Sequence, residues 1–142
     1  AHVHLATVAT SAAGLARREA ATRGVSVQVS GIGEELLADG AALEQVAYNL
    51  IRNAVQASPE GGTVQVEVEG AVLRVLDEGA GVEVDSLPHL FEPFFTTKPL
   101  GQGTGLGLAV AHGIVREHGG TLTAENRAEG GACFVVRLPP GK

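Results

Sequence analysis

The sequence predicts one layered domain of α+β type, and three observations carry that prediction. Apolar residues recur at helical spacing in three stretches, near 5–16, 41–57 and 106–114. They alternate with polar residues, as in half-buried strands, near 25–29 and 63–77, and strand-like sequence returns after residue 120. No internal repeat and no linker divides the 142 residues, so a single domain accounts for the chain.

Leu5, Val8, Ala9, Ala12, Leu15 and Ala16 set the first helical stripe, and Gly24 ends it. Val25, Val27 and Val29 then alternate as a strand. Asp39-Gly40 reads as a turn or helix start. Leu43, Val46, Ala47, Leu50, Ile51 and Ala54 form the clearest stripe, predicting a packed helix over 41–57 that Ser58-Pro59 stops. Val64, Val66 and Val68, followed after Gly70 by "AVLRVLD", predict a β-hairpin over 63–77. From Glu78 to Gly105 no period is sustained, and three of the six prolines and three of the four phenylalanines fall there. A loop of that length is usually functional, such as a lid, or else disordered. Leu106, Ala109, Val110, Gly113 and Ile114 restore a helical stripe that Gly119-Gly120 closes. "TLTAEN" and "ACFVVRL" predict a final hairpin.

A hydrophobic fraction of 44% supports a folded core, which must be aliphatic because the chain has no Trp, no Met and one Tyr. The formal net charge of -6 argues against a nucleic-acid partner, yet leaves room for an anionic ligand in a locally positive pocket. Cys133, the single cysteine, has no internal disulfide partner and reads as a buried, reduced thiol of a cytoplasmic domain. No apolar run reaches the roughly 20 residues that span a bilayer, and the start of the chain lacks the shape of a signal peptide. The expectation is a soluble domain without membrane contact, whose parent protein can still be membrane-anchored.

Asn49 and Asn53 lie four residues apart and share one helix face at the edge of the apolar stripe. Asn is a poor residue for a helix interior, so the pair is either an exposed polar flank or a site of hard oxygen donors for Mg²⁺. "DEGAG" at 77–81 follows a strand: Asp77 can accept from an exocyclic amine, and Gly79 and Gly81 permit close approach, or the motif is a plain turn. "GQGTGLGL" at 101–108 enters a helix and has the glycine spacing of an anion site. It is neither a dinucleotide fingerprint, which needs Gly where Leu106 stands, nor a P-loop, which needs Gly-Lys. Lys98 precedes it and reads as a phosphate contact or a solvated loop lysine. The five histidines and sixteen acids form no metal or triad spacing, and His112 and His118 read as surface or packing residues.

Taken in order, these pieces resemble the histidine-kinase branch of the ATPase superfamily that also includes gyrase, MutL-type mismatch-repair proteins and the large heat-shock chaperone. "NLIRNAVQAS" is similar to its N box, "DEGAG" to the first glycine box, "FEPFFTTK" to the F box and "GQGTGLGL" to the second glycine box. "EHGG" before a hairpin matches the family's C-terminal end. The resemblance implies a two-layer α/β sandwich of the Bergerat type, about three helices on a mixed sheet of about five strands. It implies ATP and Mg²⁺ as ligands. Asn53 is then the metal ligand with Asn49 assisting, Asp77 accepts from the adenine amino group, and Gly79 and Gly81 shape the adenine pocket. Lys98 contacts the phosphates, and Gly103, Thr104, Gly105, Leu106 and Gly107 cover them through backbone amides. Phe91, Phe94 and Phe95 anchor a lid expected to be flexible over 86–104 without nucleotide, and pack toward an acceptor domain.

Hydrolysing branches usually place a Glu at position 49, and an amide cannot serve as a general base, so the resemblance implies phosphoryl transfer to histidine. The family's acceptor is a His followed by an acidic residue. None of His2, His4, His89, His112 or His118 has one. The expectation is therefore the catalytic half of a kinase. Its partners are a separate dimerisation/phospho-acceptor domain and, indirectly, a response-regulator receiver domain. Residues 1–16 read as the connection from the acceptor domain, and no receiver-like remainder follows Lys142. The alternatives are a nucleotide-binding regulatory module without transfer and an ATP-hydrolysing relative.

Overall fold

The computed structural model describes residues 2–93 and 107–139. Three helices lie side by side on one face of a five-stranded mixed sheet, as expected. The helices are α1 (Leu5–Thr22), α2 (Gly40–Ala57) and α3 (Gly107–Glu117). The sheet is built from β2 (Ser26–Gly33), β4 (Thr63–Gly70), β5 (Val72–Leu76), β6 (Thr121–Asn126) and β7 (Ala132–Arg137), in the order β2-β4-β5-β7-β6. Only β2 and β4 pair in parallel, and α2 supplies the crossover that such a pair requires. A second, two-stranded sheet joins β1 (His2–His4) to β3 (Glu35–Leu37).

Side chains of period two on the strands and of period 3.6 on the helices meet in one core. Val64, Val66 and Val68 of β4, Leu73 and Val75 of β5, and Phe134 and Val136 of β7 share the covered face. Against them α2 turns Leu43, Val46, Leu50, Ile51, Ala54 and Val55, all at most 3% exposed. Helix α2 starts where Asp39 caps it, Oδ1 accepting from the Ala42 N–H at 3.1 Å. It stops where Ser58, held extended before Pro59, leaves helical geometry (ψ 147°). Helix α1 packs on α2 and buries Ala9, Ala12, Ala13 and Ala16, whose small side chains permit close packing. Of residues 1–16, expected as a connection from another domain, Leu5, Val8, Ala9, Ala12, Ala13 and Ala16 belong to the buried core.

Four details differ from the sequence reading. Leu15 is 60% exposed, because it lies just outside the arc that Leu5, Val8, Ala12 and Ala16 define. Helix α3 buries Ala111 and Val115, one residue out of phase with the predicted Val110 and Ile114, and Val110 is 40% exposed. Strand β2 runs four residues past Val29, and β1 and β3 were not anticipated. Cys133 is buried as expected, on the face away from the helices and opposite Leu76 and Glu125. Burial, then the nearby Glu125 charge, raises its thiol pKa. Among the described residues no helix is long and apolar enough to cross a membrane.

Candidate functional site

Asp77 follows the last residue of β5 and is the only buried polar side chain among the described residues, at 2% exposure. Its Oδ1 accepts from the Gly79 N–H at 2.9 Å and the Ala132 N–H at 3.1 Å. Its backbone is held as well: the N–H donates to the Ala132 carbonyl at 3.0 Å, and the carbonyl accepts from Arg127 Nη1 at 2.6 Å. Oδ2 takes no hydrogen bond among the described residues. No fully buried side-chain oxygen or nitrogen lacks a partner among the described residues, so Oδ2 is not wholly sealed by the protein. The result is a fixed carboxylate with one oxygen engaged by the protein and one free to accept an N–H from a ligand.

The loop after Asp77 is tied down residue by residue. The Glu78 N–H donates to Ser58 Oγ at 3.3 Å, and Glu78 Oε1 accepts from the Thr63 N–H at 2.9 Å. Gly79 lies against the Ala57 carbonyl at the end of α2, where a Cβ would collide with that oxygen. Gly81 takes φ +83°, and a Cβ there would sit 2.8 Å from Asn126 Oδ1. Both glycines, expected to admit a ligand, are thus demanded by contacts within the protein. Val82 is gripped by one side chain: its N–H donates to Asn126 Oδ1 and its carbonyl accepts from Asn126 Nδ2, each at 2.7 Å.

Asn49 and Asn53 are half-buried on one face of α2, one turn apart. Asn49 Nδ2 donates to the Gly107 carbonyl at 3.1 Å, at the start of α3. A carbonyl can only accept, so this bond fixes the amide orientation and leaves Oδ1 unspent. Asn53 makes no hydrogen bond among the described residues, so its oxygen is also available. Two neutral oxygen donors beside a polyanion suit Mg²⁺, which keeps several waters and completes its shell from phosphate oxygens.

The far ends of α2 and α3 are joined too. His118 Nδ1 lies 2.9 Å from the Ile114 carbonyl, and Nε2 accepts from the Asp39 N–H at 3.2 Å. His112 is a packing residue: its ring stacks on Phe91 with centroids 5.0 Å apart and planes 11° from parallel. Phe91 also meets Phe134 edge-on at 6.4 Å. The start of the F-box segment is therefore anchored inward, on α3 and the core, with buried Leu90 beside it. Phe94, Phe95, Lys98, Gly103, Thr104, Gly105 and Leu106 lie outside the described residues. Gly107, the first residue of α3, is exposed.

The sequence reading missed Asn126, the last residue of β6, and Arg127 just after it, which reach the Asp77 loop. Their signal was faint, since an Asn-Arg pair at a strand end is ordinary turn chemistry.

With this geometry in view, similarities to known proteins are informative. The family described as histidine kinase-, DNA gyrase B-, and HSP90-like ATPase matches residues 38–142. The chain is 49% identical over 108 residues to the two-component sensor PprA of Pseudomonas aeruginosa, covering 68% of this chain and 12% of that protein. It is 42% identical over 109 residues to the sensor histidine kinase ZraS of Escherichia coli K12, covering 74% of this chain and 23% of that one. Its fold overlays the solved catalytic domain of histidine kinase ThkA with a TM-score of 0.87 at 28% identity, over 99% of this chain and 95% of that one. The chain thus spans less than a quarter of the length of these two curated relatives.

Proposed function

The chain belongs to the histidine kinase-, DNA gyrase B- and HSP90-like ATPase family, as a catalytic domain of the sensor-histidine-kinase kind, and we propose that it binds ATP with Mg²⁺ and passes the γ-phosphoryl group to a histidine on a separate dimerisation domain. The observation that carries the reading is Asp77, a rigid carboxylate with a single open oxygen. Such a group selects a ligand with an amine at the edge of a planar base, as adenine has, and opposes one with a carbonyl there.

Asn53 and the free oxygen of Asn49 are the proposed metal ligands. When bound, Mg²⁺ supplies charge neutralisation for the phosphate oxygens, and the protein supplies position. Gly79 and Gly81 shape the base pocket. Lys98 and the segment from Gly103 to Gly107 are proposed to hold the phosphates through the lysine charge and backbone amides. Phosphoryl transfer is favoured over hydrolysis because residue 49 is an amide, which cannot act as a general base, and its nitrogen already donates to Gly107.

The proposed partners are the phospho-acceptor domain of the same kinase and, beyond it, a receiver domain. The proposed setting is the cytoplasm. The test is transfer of label from γ-labelled ATP to the matching dimerisation domain added in trans. Labelling of one histidine there, abolished by chelating the metal, is expected. Binding of ATP without label on any acceptor would reduce the chain to a regulatory module, and rapid partner-free phosphate release would make it a hydrolase.

A further inference from the structure

The end of β6 and the turn that follows it lie outside all four sequence boxes, yet they grip the Asp77 loop at two points. Asn126 bonds both backbone groups of Val82 at 2.7 Å, in the manner of a neighbouring strand. Arg127 Nη1 donates to the Asp77 carbonyl at 2.6 Å, and its side chain is only 16% exposed. Gly81, between these points, sits at φ +83° against Asn126 Oδ1. Residues 77 and 82 are thus fixed to two consecutive residues at the end of β6, 50 and 44 positions further along the chain.

We infer that Asn126 is a positioning residue for nucleotide recognition: its side chain substitutes for a missing strand, and so holds the 79–82 loop in the conformation that forms the wall beside Asp77 Oδ2. The inference rests on the reading of Asp77 as the base-recognising carboxylate. Val82 has no other described partner for its N–H and carbonyl, so with Asn126 removed both return to water and nothing selects this loop conformation. Asn126 itself is exposed, with no share in the hydrophobic core, and β6 and β7 stay paired through five further residue pairs, from Thr121↔Arg137 to Glu125↔Cys133. Its loss is therefore felt at the loop and spares the fold. A purely structural role predicts the opposite pattern.

The experiment compares the intact chain with Asn126→Ala, using calorimetry with Mg-ATP and with Mg-tripolyphosphate, which lacks the base. ATP affinity is expected to fall about tenfold, the scale of ~1.4 kcal/mol, while tripolyphosphate affinity stays within about twofold. Hydrogen exchange at the Val82 amide is expected to accelerate with protection across β6 and β7 retained. Asn126→Asp, which keeps an acceptor for the Val82 N–H and loses the donor to its carbonyl, repeats both measurements should the alanine variant fail to fold. Equal weakening toward both ligands, or unchanged ATP affinity with a faster Val82 amide, overturns the inference. A wild-type chain that does not bind Mg-ATP overturns the proposed function as well. The two failures are therefore distinguishable.

Discussion

Asp77→Asn separates the two jobs that one carboxylate performs. In the folded chain Oδ1 accepts two backbone N–H groups, and an amide oxygen can accept the same two at the same place. The variant is therefore expected to fold, with stability within about 1 kcal/mol of the parent, since a buried charge is also removed. The other position changes from an oxygen that accepts to an amide nitrogen that donates. In the proposed pocket this opposes the adenine amino group, so a charge-assisted hydrogen bond of about 2 kcal/mol is lost and a donor faces a donor. Mg-ATP affinity should fall by ~30-fold or more. The same nitrogen can donate to a ring carbonyl, so the preference for ATP over inosine triphosphate should narrow or invert. Calorimetry with both nucleotides, beside a thermal melt, reads all three effects. Unchanged ATP affinity in a folded Asp77→Asn variant would refute the reasoning, because no other described carboxylate occupies this place.

Asn53→Ala should weaken Mg-ATP by about tenfold and leave binding in chelator unchanged, compared by calorimetry with and without the metal. Leu50→Ala, at 0% exposure between α2 and the sheet, should cost about 2–5 kcal/mol of stability in urea unfolding, through lost burial and a cavity. Burial raises the Cys133 thiol above its ordinary 9.0, so the sign of its pH effect is fixed. Its contribution to stability is fully present below 9.0 and is lost as pH climbs through the raised value. Disulfide-exchange reagents should accordingly label it far more slowly in the native chain than in urea.

The elements with strong local periods were legible. The stripe Leu43 to Ala54, closed by Ser58-Pro59, located α2 to within a residue, the 63–77 hairpin followed from valine alternation around Gly70, and the last hairpin from the strand-like "TLTAEN" and "ACFVVRL". What escaped depends on distant neighbours. Strands β1 and β3 have three residues each, too few for any period, and exist because each pairs with the other. Strand β2 continues through Ser30, Gly31, Ile32 and Gly33, a poor strand sequence held by its parallel partner β4. The phase of α3 is set by packing on α2 and β6, which its small residues alone do not encode.

The candidate site divides in the same way. Asp77, Asn49 and Asn53 stood out because a charged or amide residue sat where the pattern called for something else. His118 and Asn126 looked like ordinary surface residues, since their partners Asp39 and Val82 are 79 and 44 residues away. A side chain that serves by completing another segment's backbone bonds leaves no periodic trace.

The central claim is a metal-dependent ATP pocket within this one domain, and calorimetry of the chain with ATP, with and without Mg²⁺, tests it most directly. The account predicts saturable heat with the metal, sharply weaker binding in chelator, and a raised melting temperature that grows with ligand concentration, worth about 2.7 kcal/mol at a hundredfold excess over Kd. Absence of both heat and stabilisation at millimolar Mg-ATP would contradict it.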